Sequence, residues 1–249
     1  MDGESMEVEG TAHQDMGKVP GTEARCVMDV MEAIMTRRSV RKWLDKPIPE
    51  EYVQQILEAG RWAPSAGNFQ PWAFIVIQEA ETKARIQKIA EDSKNLSRIW
   101  APYFREGGSR GYVVDLRNVP LGIAIFANQR HAPPHTGGEI GHIIGGSLAA
   151  MNMWLAVHAL GLGACYWSHM MPDKMKVILG MPHHWDFIGL LGIGYVDGDG
   201  SPDGYDTADP KYWDRRPLEE VAFYEWFKVA KGERPPQEKL ALLKEFLNL

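Results

Sequence analysis

The chain has 249 residues, enough to bury a substantial core as one large domain or two small ones. Its 27 Lys and Arg residues against 33 Asp and Glu residues give a net charge of −6, which argues against broad nucleic-acid binding. The two cysteines, Cys26 and Cys165, lie far apart, so we expect neither a disulfide framework nor a cysteine-rich zinc site. A reducing, cytoplasmic compartment fits this composition.

The composition also divides the chain into three segments. Residues 1–26 are acidic, rich in glycine and lack an apolar core, so they predict a flexible arm rather than a secretory signal. We expect the main domain over 27–230 and a C-terminal extension over 231–249, whose terminal amphipathic helix, 239–249, is suited to packing on a dimer partner.

Two helices open the main domain. The first is predicted over 27–36, because apolar residues recur there at the spacing of one helix face. The second is predicted to begin near Pro49, since proline followed by acidic residues favours a first helical turn. Pro64 disfavours helix in the residue before it, so this helix should end near Ala63. Its expected buried positions are Val53, Ile56, Leu57 and Gly60.

Three apolar runs, 72–77, 121–127 and 186–196, predict buried strands. Between the first two, 82–90 has a helical pattern, whereas residues 92–118 are irregular, aromatic and contain glycine. We interpret 92–118 as a lid or specificity region. A few strands among several helices indicate an α+β layer architecture.

The longest predicted helix covers 139–160, and no formally charged residue occurs between Glu139 and Asp173. The segment 143–160 is long enough to span a membrane, but it carries polar residues and is flanked by glycine pairs. A helix that is apolar nearly all round also suits a protein interior or a subunit interface. We favour that second interpretation, and we expect a homodimer that buries this helix.

The remaining elements are shorter. A helix is predicted from Pro172 to Gly180, turns over 197–210, and a last helix from about Pro217. A hinge is expected at 231–236, before the terminal helix.

Two basic clusters are candidates for binding an anion. The first consists of Arg37, Arg38, Ser39 and Arg41, and the second of Arg215 and Arg216. Guanidinium groups match phosphate oxygens bidentately, so both clusters together can saturate one phosphate dianion. Basic residues at a helix end also commonly complement the helix dipole, and a late arginine pair is often a surface ion pair.

Two further segments have features of a ligand site. Residues 64–72 form a proline-bounded loop that presents a hydroxyl and two amides, and amides suit the alternating donor and acceptor edge of a heterocycle such as a flavin. The alternative is a turn whose side chains cap the backbone. Residues 161–169 begin with two glycines, which allow a flat ligand to approach the backbone. The alternative is a glycine helix cap that leads into a buried segment.

Four motifs, in this order and at similar spacing, resemble the nitroreductase family. They are R-R-S-V-R, P-S-A-G-N-F-Q-P-W followed by F-I-V-I, A-x-x-x-x-G-L-G-A-C, and R-R-P-L-E-E-V, and the resemblance covers residues 27–225. It implies a central, mainly antiparallel sheet wrapped by helices in an intertwined homodimer, with two FMN sites at the interface. It also implies reduction of nitro groups, quinones and other small acceptors with NAD(P)H, by ping-pong hydride transfer through the flavin.

The resemblance further implies roles for individual residues. The ribityl phosphate and the flavin pyrimidine would be bound by Arg37, Arg38, Ser39 and Arg41, together with Arg215 or Arg216. The partner subunit would contribute Pro64, Ser65, Ala66 and Asn68, and Gln70 joins the cofactor-binding set. The backbone of Tyr166, Trp167, Ser168 and His169 would lie near flavin N5 and O4. His169 is a candidate proton donor, the alternative being that only its backbone N–H matters.

The chain departs from the family pattern at positions that concern the acceptor more than the cofactor. Gly145 and Gly146 stand where members often have an acidic residue, and Ser168-His169 where many have glycine. Some relatives remove halogen from aromatics, and others break the flavin down. The relatives that break the flavin down carry Gly-Phe-Met at a place where this chain has Asn68-Phe69. A non-catalytic flavin- or ligand-binding protein is the alternative of another class. We expect no metal site, because Pro133-Pro134 breaks any helix that would pair His131 with His135.

Overall fold

The structure is a computed structural model that describes residues 28–100, 115–131, 140–168, 170–200 and 215–224, with side chains in the first range described as far as Ser93. The chain divides into two compact units, Met1–Asp203 and Gly204–Leu249. The predicted N-terminal arm, the hinge at 231–236 and the terminal helix at 239–249 lie outside the described residues.

The described part of the first unit contains helices and one antiparallel sheet. The helices are α1 (Val30–Thr36), α2 (Glu50–Arg61), α3 (Ala80–Trp100), α4 (Gly141–Ala159) and α5 (Pro172–Ile178). The strands are β1 (Trp72–Ile77), β2 (Leu121–Asn128), β3 (Gly163–Trp167) and β4 (Trp185–Gly194). The strand order is β1-β2-β4-β3, and every neighbouring pair is antiparallel. The α+β prediction with a mainly antiparallel sheet is therefore confirmed.

The position of a strand in the sheet determines how deeply it is buried. β2 is a central strand, and all eight of its residues are buried. β1 has the bounds expected from the sequence, but it lies at an edge of the sheet, and only Ile77 in it is buried. The prediction of a buried strand at 72–77 is correct in its bounds and wrong in its burial, because a run of apolar residues does not reveal which strands lie at the edge.

A fourth strand, β3, forms where we expected a glycine cap leading into a buried segment or a ligand site. The cap is present, since Gly161 follows α4 with φ +73°. The five residues of β3 then pair with β4, with Tyr166 opposite Leu191. So short a run gives little periodic signal, and its strand conformation depends on the backbone partners that β4 supplies.

Two cores lie on the two faces of the sheet. Adjacent residues of a strand point to opposite faces, and Leu190 and Leu191 accordingly belong to different cores. The first core includes Ile56 of α2 and Met153 of α4, and the second includes Ile86 of α3 and Met175 of α5. Helices α2 and α4 therefore cover one face, and α3 and α5 cover the other.

α3 corrects the expected lid region. It has 21 residues, more than the predicted segment 82–90, so residues 92–100 of the expected irregular region are helical. Good helix formers, namely Glu91, Lys94, Leu96 and Arg98, favour helix beyond the predicted segment. Residues 116–118 form one 3₁₀ turn, and 101–114 lie outside the described residues.

α4 confirms the predicted long helix and shows two different faces. Its inward face is buried and consists of His142, Gly145, Gly146, Ala149, Ala150, Met153 and Val157. Its outward face carries exposed apolar residues, namely Ile143, Ile144, Leu148 and Met151. Among the described residues, no helix is both long and apolar enough to cross a membrane.

In the second unit, the helix predicted from Pro217 is a single 3₁₀ turn, Leu218–Glu220, within the described residues. Arg216 Nη2 donates to the backbone carbonyl of Glu220 at 2.7 Å, and Arg216 Nε contacts the Glu220 carboxylate at 3.2 Å. The arginine therefore satisfies a carbonyl at the end of the turn that has no helical N–H partner.

Candidate functional site

The first basic cluster lies at the outer edge of β3. Arg37 ends α1, and its N–H donates to the Ala33 carbonyl at 3.1 Å. The chain then runs beside the strand, where Ser39 pairs with Ala164 and the Val40 N–H donates to the Ala164 carbonyl at 2.9 Å. The sheet therefore fixes the backbone of this cluster.

Arg37 lies on an aromatic platform. Its guanidinium carbon is 4.0 Å from the centre of the Trp154 ring, a cation–π distance. The Trp154 and Tyr166 rings are 6.0 Å apart, and the Tyr166 hydroxyl donates to the Ile188 carbonyl at 2.6 Å. Burial raises the pKa of Tyr166 to about 12, so its hydroxyl stays protonated.

Arg38 caps α1. Its Nη1 donates to the carbonyls of Met35, at 2.8 Å, and Arg37, at 2.9 Å. The sequence left open whether this cluster complements a helix end, and Arg38 does so here. His158 of α4 lies nearby, and burial together with the charges of Arg37 and Arg38 lowers its pKa.

Arg41 borders a charged cavity of about 490 Å³, within the range of about 300–1,000 Å³ typical of ligand pockets. The lining residues with ionisable side chains are Arg41, Lys42, Asp45, Lys83, Asp115, Arg117 and Asp197. Arg41 also lies against Cys165, whose burial raises its pKa to about 11 in spite of the nearby arginine. The thiol is therefore protonated and unreactive near neutral pH.

Sequence reasoning missed the other cavity residues. Lys83 projects from α3 and donates to the Val119 carbonyl at 3.1 Å, and Arg117 pairs with Asp115 at 2.7 Å just before β2. Arg117 lies far from the recognised motifs in the chain, and Lys83 follows the F-I-V-I run by six residues on a different element. The usable signal was D-L-R-N, which ends two residues before a buried strand, since polar residues in the loops that flank a strand commonly face a site.

The loop at 64–72 is a strained, exposed turn. Residues Ala66–Asn68 form a 3₁₀ turn, and Gly67, Asn68 and Gln70 all have positive φ, at 56°, 57° and 45°. The Ser65 hydroxyl accepts a hydrogen bond from the Gln70 N–H at 2.9 Å, so Ser65 caps the backbone, as the alternative interpretation had it. Left-handed conformations cost about 1–3 kcal/mol at residues other than glycine, and such strain is concentrated at functional sites.

Within one chain, the turn and the basic cluster are not brought together. Pro71 packs against Gly145 near the start of α4, where an added Cβ would lie 2.9 Å from the proline ring. Arg37 lies over Trp154, nine residues further along the same helix. A helix rises about 1.5 Å per residue, so the two features are separated by about 13 Å along α4.

The same packing explains one departure from the family pattern. An added Cβ at Gly145 would crowd Pro71, and one at Gly146 would lie 2.8 Å from the Ile188 side chain. An acidic side chain does not fit at either position of this helix.

The structure describes most, but not all, of the remaining candidate residues. Trp167 is buried and Ser168 is exposed at the end of β3, while His169 lies outside the described residues. Pro64, Ala66, Asn68 and Gln70 are exposed. Arg215 and Arg216 belong to the second unit.

A family model and several similar proteins indicate the family to which this chain is related. The nitroreductase family model matches residues 34–195. A protein of Methanothermobacter thermautotrophicus, whose name refers to NADH dehydrogenase and NAD(P)H nitroreductase, is 30% identical over 208 residues, covering 81% of this chain and 92% of its own. Rat iodotyrosine deiodinase 1 is 27% identical over 180 residues, covering 66% of this chain and 61% of its own.

A solved structure agrees with the sequence matches. A Desulfovibrio desulfuricans protein described as a nitroreductase, in complex with FMN, has a TM-score of 0.58 and 27% identity, and the match covers 80% of this chain and 98% of that one. The family match spans α2 to β4 and includes the basic cluster, the strained turn and β3. This chain belongs to the nitroreductase family.

Proposed function

We propose that this protein is an FMN-dependent oxidoreductase that uses NAD(P)H to reduce a small aromatic or quinone-like acceptor. The observation that carries the proposal is the basic cluster, held by the edge of β3 beside a charged cavity of about 490 Å³. The relative named for NAD(P)H nitroreductase and the FMN-bound neighbour support it.

The residues present fit FMN. Arg37 and Arg38 carry the guanidinium groups that suit a terminal phosphate dianion. The cavity is lined by both cations and carboxylates, and Asn118 adds an amide that can both donate and accept, as the polar edge of a flavin requires. Of the cations, Arg117 is paired with Asp115 and Lys83 donates to the Val119 carbonyl, so Arg41 is the cation assigned to the flavin. The sequence contains no G-x-G-x-x-G turn for a pyrophosphate, which favours FMN over FAD.

The chain's own contribution to the reaction is binding and electrostatics. Bound FMN supplies the two-electron hydride chemistry between NAD(P)H and the acceptor. Arg41 places a fixed positive charge at the cavity, where it stabilises negative charge that develops during reduction. Water or His169 supplies protons, and the role of His169 stays a prediction.

We also propose that the working unit is a homodimer in which each site uses both chains. The support is the separation of the strained turn from the basic cluster within one chain, together with the exposed apolar faces of α1 and α4. On α1 these residues are Val30, Met31, Ile34 and Met35, which are 48–68% exposed. A second copy of the chain is expected to cover both faces.

Reductive dehalogenation is a second candidate, because the match to iodotyrosine deiodinase 1 covers 66% of this chain. A halogenated phenol belongs among the tested acceptors for this reason. A protein that binds flavin without turnover is the third outcome to be distinguished.

Absorbance spectroscopy of the purified protein tests the proposal. We expect a yellow protein whose acid-released flavin is FMN, which bleaches anaerobically with NADH or NADPH and regains colour with a nitroaromatic, a quinone or an iodophenol. The acceptor that restores colour fastest identifies the reaction. A yellow protein that no nicotinamide bleaches would contradict the oxidoreductase assignment.

A pair of variants tests the cofactor site. Arg37→Ala/Arg38→Ala should lose FMN, because two phosphate-binding groups are removed together. Arg61→Ala/Arg85→Ala is the matched control, since it removes the same charge from arginines paired with Glu58 and Glu81 on α2 and α3. Full flavin occupancy in the Arg37/Arg38 variant would refute the assignment.

A further inference from the structure

Trp154 lies outside every recognised motif, yet its ring supports the arginine at the start of the basic cluster. We propose that Trp154 is a positioning residue that holds Arg37 for the flavin phosphate and so sets the preference for FMN over riboflavin, which lacks the phosphate. The inference rests on the proposed function, in which Arg37 meets that phosphate.

Trp154 and Tyr166 form the aromatic platform beneath Arg37, and both side chains are held in place by the core and the sheet. Trp154 packs against the first core, and its ring is inclined 31° to that of Tyr166. Tyr166 is held by its hydrogen bond to the Ile188 carbonyl and lies over Gly189, where an added Cβ would overlap the tyrosine ring. Rigid contacts therefore run from the backbone of β4 to the guanidinium of Arg37.

The ring of Trp154, rather than its N–H group, accounts for a tryptophan at this position. The indole Nε1 is buried and has no acceptor among the described residues. An unmet buried donor is unfavourable, so hydrogen bonding gives no reason to prefer tryptophan over phenylalanine. Tryptophan does have the ring face that attracts a guanidinium most strongly.

A second contact, one helical turn along α4, fixes the residue before Arg37. Thr36 Oγ1 lies 2.6 Å from the Glu32 carbonyl and 2.8 Å from His158 Nε2. The hydroxyl has one proton, which it gives to the carbonyl, so it accepts from His158 Nε2–H. Residues four apart lie on one helix face, and Trp154 and His158 therefore secure Thr36 and Arg37 together.

This arrangement has a consequence for affinity. An arginine already held against a ring loses less side-chain freedom when it binds phosphate than a mobile one does. Removing the ring should therefore weaken the binding of a phosphorylated flavin and leave an unphosphorylated flavin unaffected.

The test measures two ligands on the same protein. Flavin is removed from the full-length wild type, Trp154→Phe and Trp154→Leu, and the Kd of FMN and of riboflavin is measured by quenching of flavin fluorescence. We expect Trp154→Leu to weaken FMN binding about 10-fold, Trp154→Phe about 3-fold, and riboflavin binding to change in neither. Equal weakening of FMN and riboflavin would show a merely structural role and overturn the inference, as would unchanged FMN binding in Trp154→Leu.

A double-mutant cycle with Arg37→Ala provides the second readout. If Trp154 acts through Arg37, the tryptophan substitutions should have no further effect on FMN binding in the Arg37→Ala background. A full effect in that background would overturn the inference. Should Trp154→Leu fail to fold, Trp154→Phe carries the same cycle. A wild type that does not bind FMN would instead overturn the proposed function.

Discussion

Three aromatic side chains of the site region lie over glycines of β4. Tyr166 lies over Gly189 and Trp167 over Gly192, where an added Cβ would meet the indole at 2.5 Å, and Trp43 covers Gly194 in the same way. A Cβ at any of these glycines would lift a ring off the sheet. The glycines in F-I-G-L-L-G-I-G-Y thus allow large aromatic residues to pack closely on both faces of β4.

The effect of one added methyl group can be measured at Gly189. We expect Gly189→Ala to lower the free energy of unfolding by about 1–3 kcal/mol, because the new Cβ overlaps a tyrosine ring that is held by its hydroxyl. For a chain of this size that corresponds to roughly 2–4 °C in Tm per kcal/mol. Gly122→Ala on β2 is the control, since its Cβ would lie 3.3 Å from Ile77 Cβ and cause a smaller loss. Urea unfolding measures the free energy of unfolding of both variants, and an equal loss in Gly189→Ala and Gly122→Ala would contradict this account.

For single residues, sequence reasoning proposes only part of the candidate site. Arg37, Ser39 and Arg41 were identified because residues that bind phosphate occur there within a few positions. Lys83, Arg117 and Trp154 were not, because each becomes relevant only when α3, the segment before β2, or α4 packs beside the basic cluster. Proximity of this kind depends on tertiary packing and leaves no local pattern in the chain.

At the scale of elements, the strained turn between α2 and β1 combines two requirements in one residue. Asn68 adopts φ +57°, which glycine tolerates better, and it also exposes the amide assigned to the flavin. Backbone strain and side-chain chemistry therefore make opposite demands at this position.

Two substitutions of Asn68 separate these requirements. Asn68→Gly should leave the Tm of the flavin-free protein unchanged or higher, since glycine relieves the left-handed strain, and should weaken FMN binding through loss of the amide. Asn68→Ala should lose the amide as well and also destabilise the fold by about 1–2 kcal/mol. Thermal unfolding and FMN titration report the two effects independently. Wild-type FMN affinity in Asn68→Gly would mean that the amide is not used.

The elements themselves could be predicted to different degrees. α2, α4 and α5 were predicted nearly to their ends, α2 from its periodicity and proline start, α4 from its long uncharged run that ends at glycines, and α5 from Pro172 and Gly180. β3 was missed, since five residues that are stabilised by pairing carry too little pattern. The extent of α3 was missed for another reason, because its last turns contain helix formers without a regular apolar face.

At the scale of the whole molecule, the distribution of exposed apolar side chains is uneven. The outward faces of α1 and α4 carry most of the large ones described in the first unit, and the two helices are in contact. On the opposite face of the sheet, Val177 of α5 is 81% exposed beside a groove whose lining residues are mostly charged. Since burial of apolar area stabilises association, a partner chain gains more on the α1 and α4 side.

Charge substitution on α4 tests where the second copy binds and whether it completes the site. Ile144→Glu/Leu148→Glu should convert a dimer into a monomer, because two buried carboxylates without partners would cost several kcal/mol at an interface. The monomer should also lose FMN, since the strained turn would no longer reach the basic cluster of a partner. Val177→Glu, which introduces one carboxylate on the opposite face of the sheet, is the control and should leave both properties unchanged. Sedimentation equilibrium with detection at the flavin band measures mass and occupancy together. A dimeric double variant would place the interface elsewhere, and a monomer with full FMN occupancy would show that each chain holds its flavin alone.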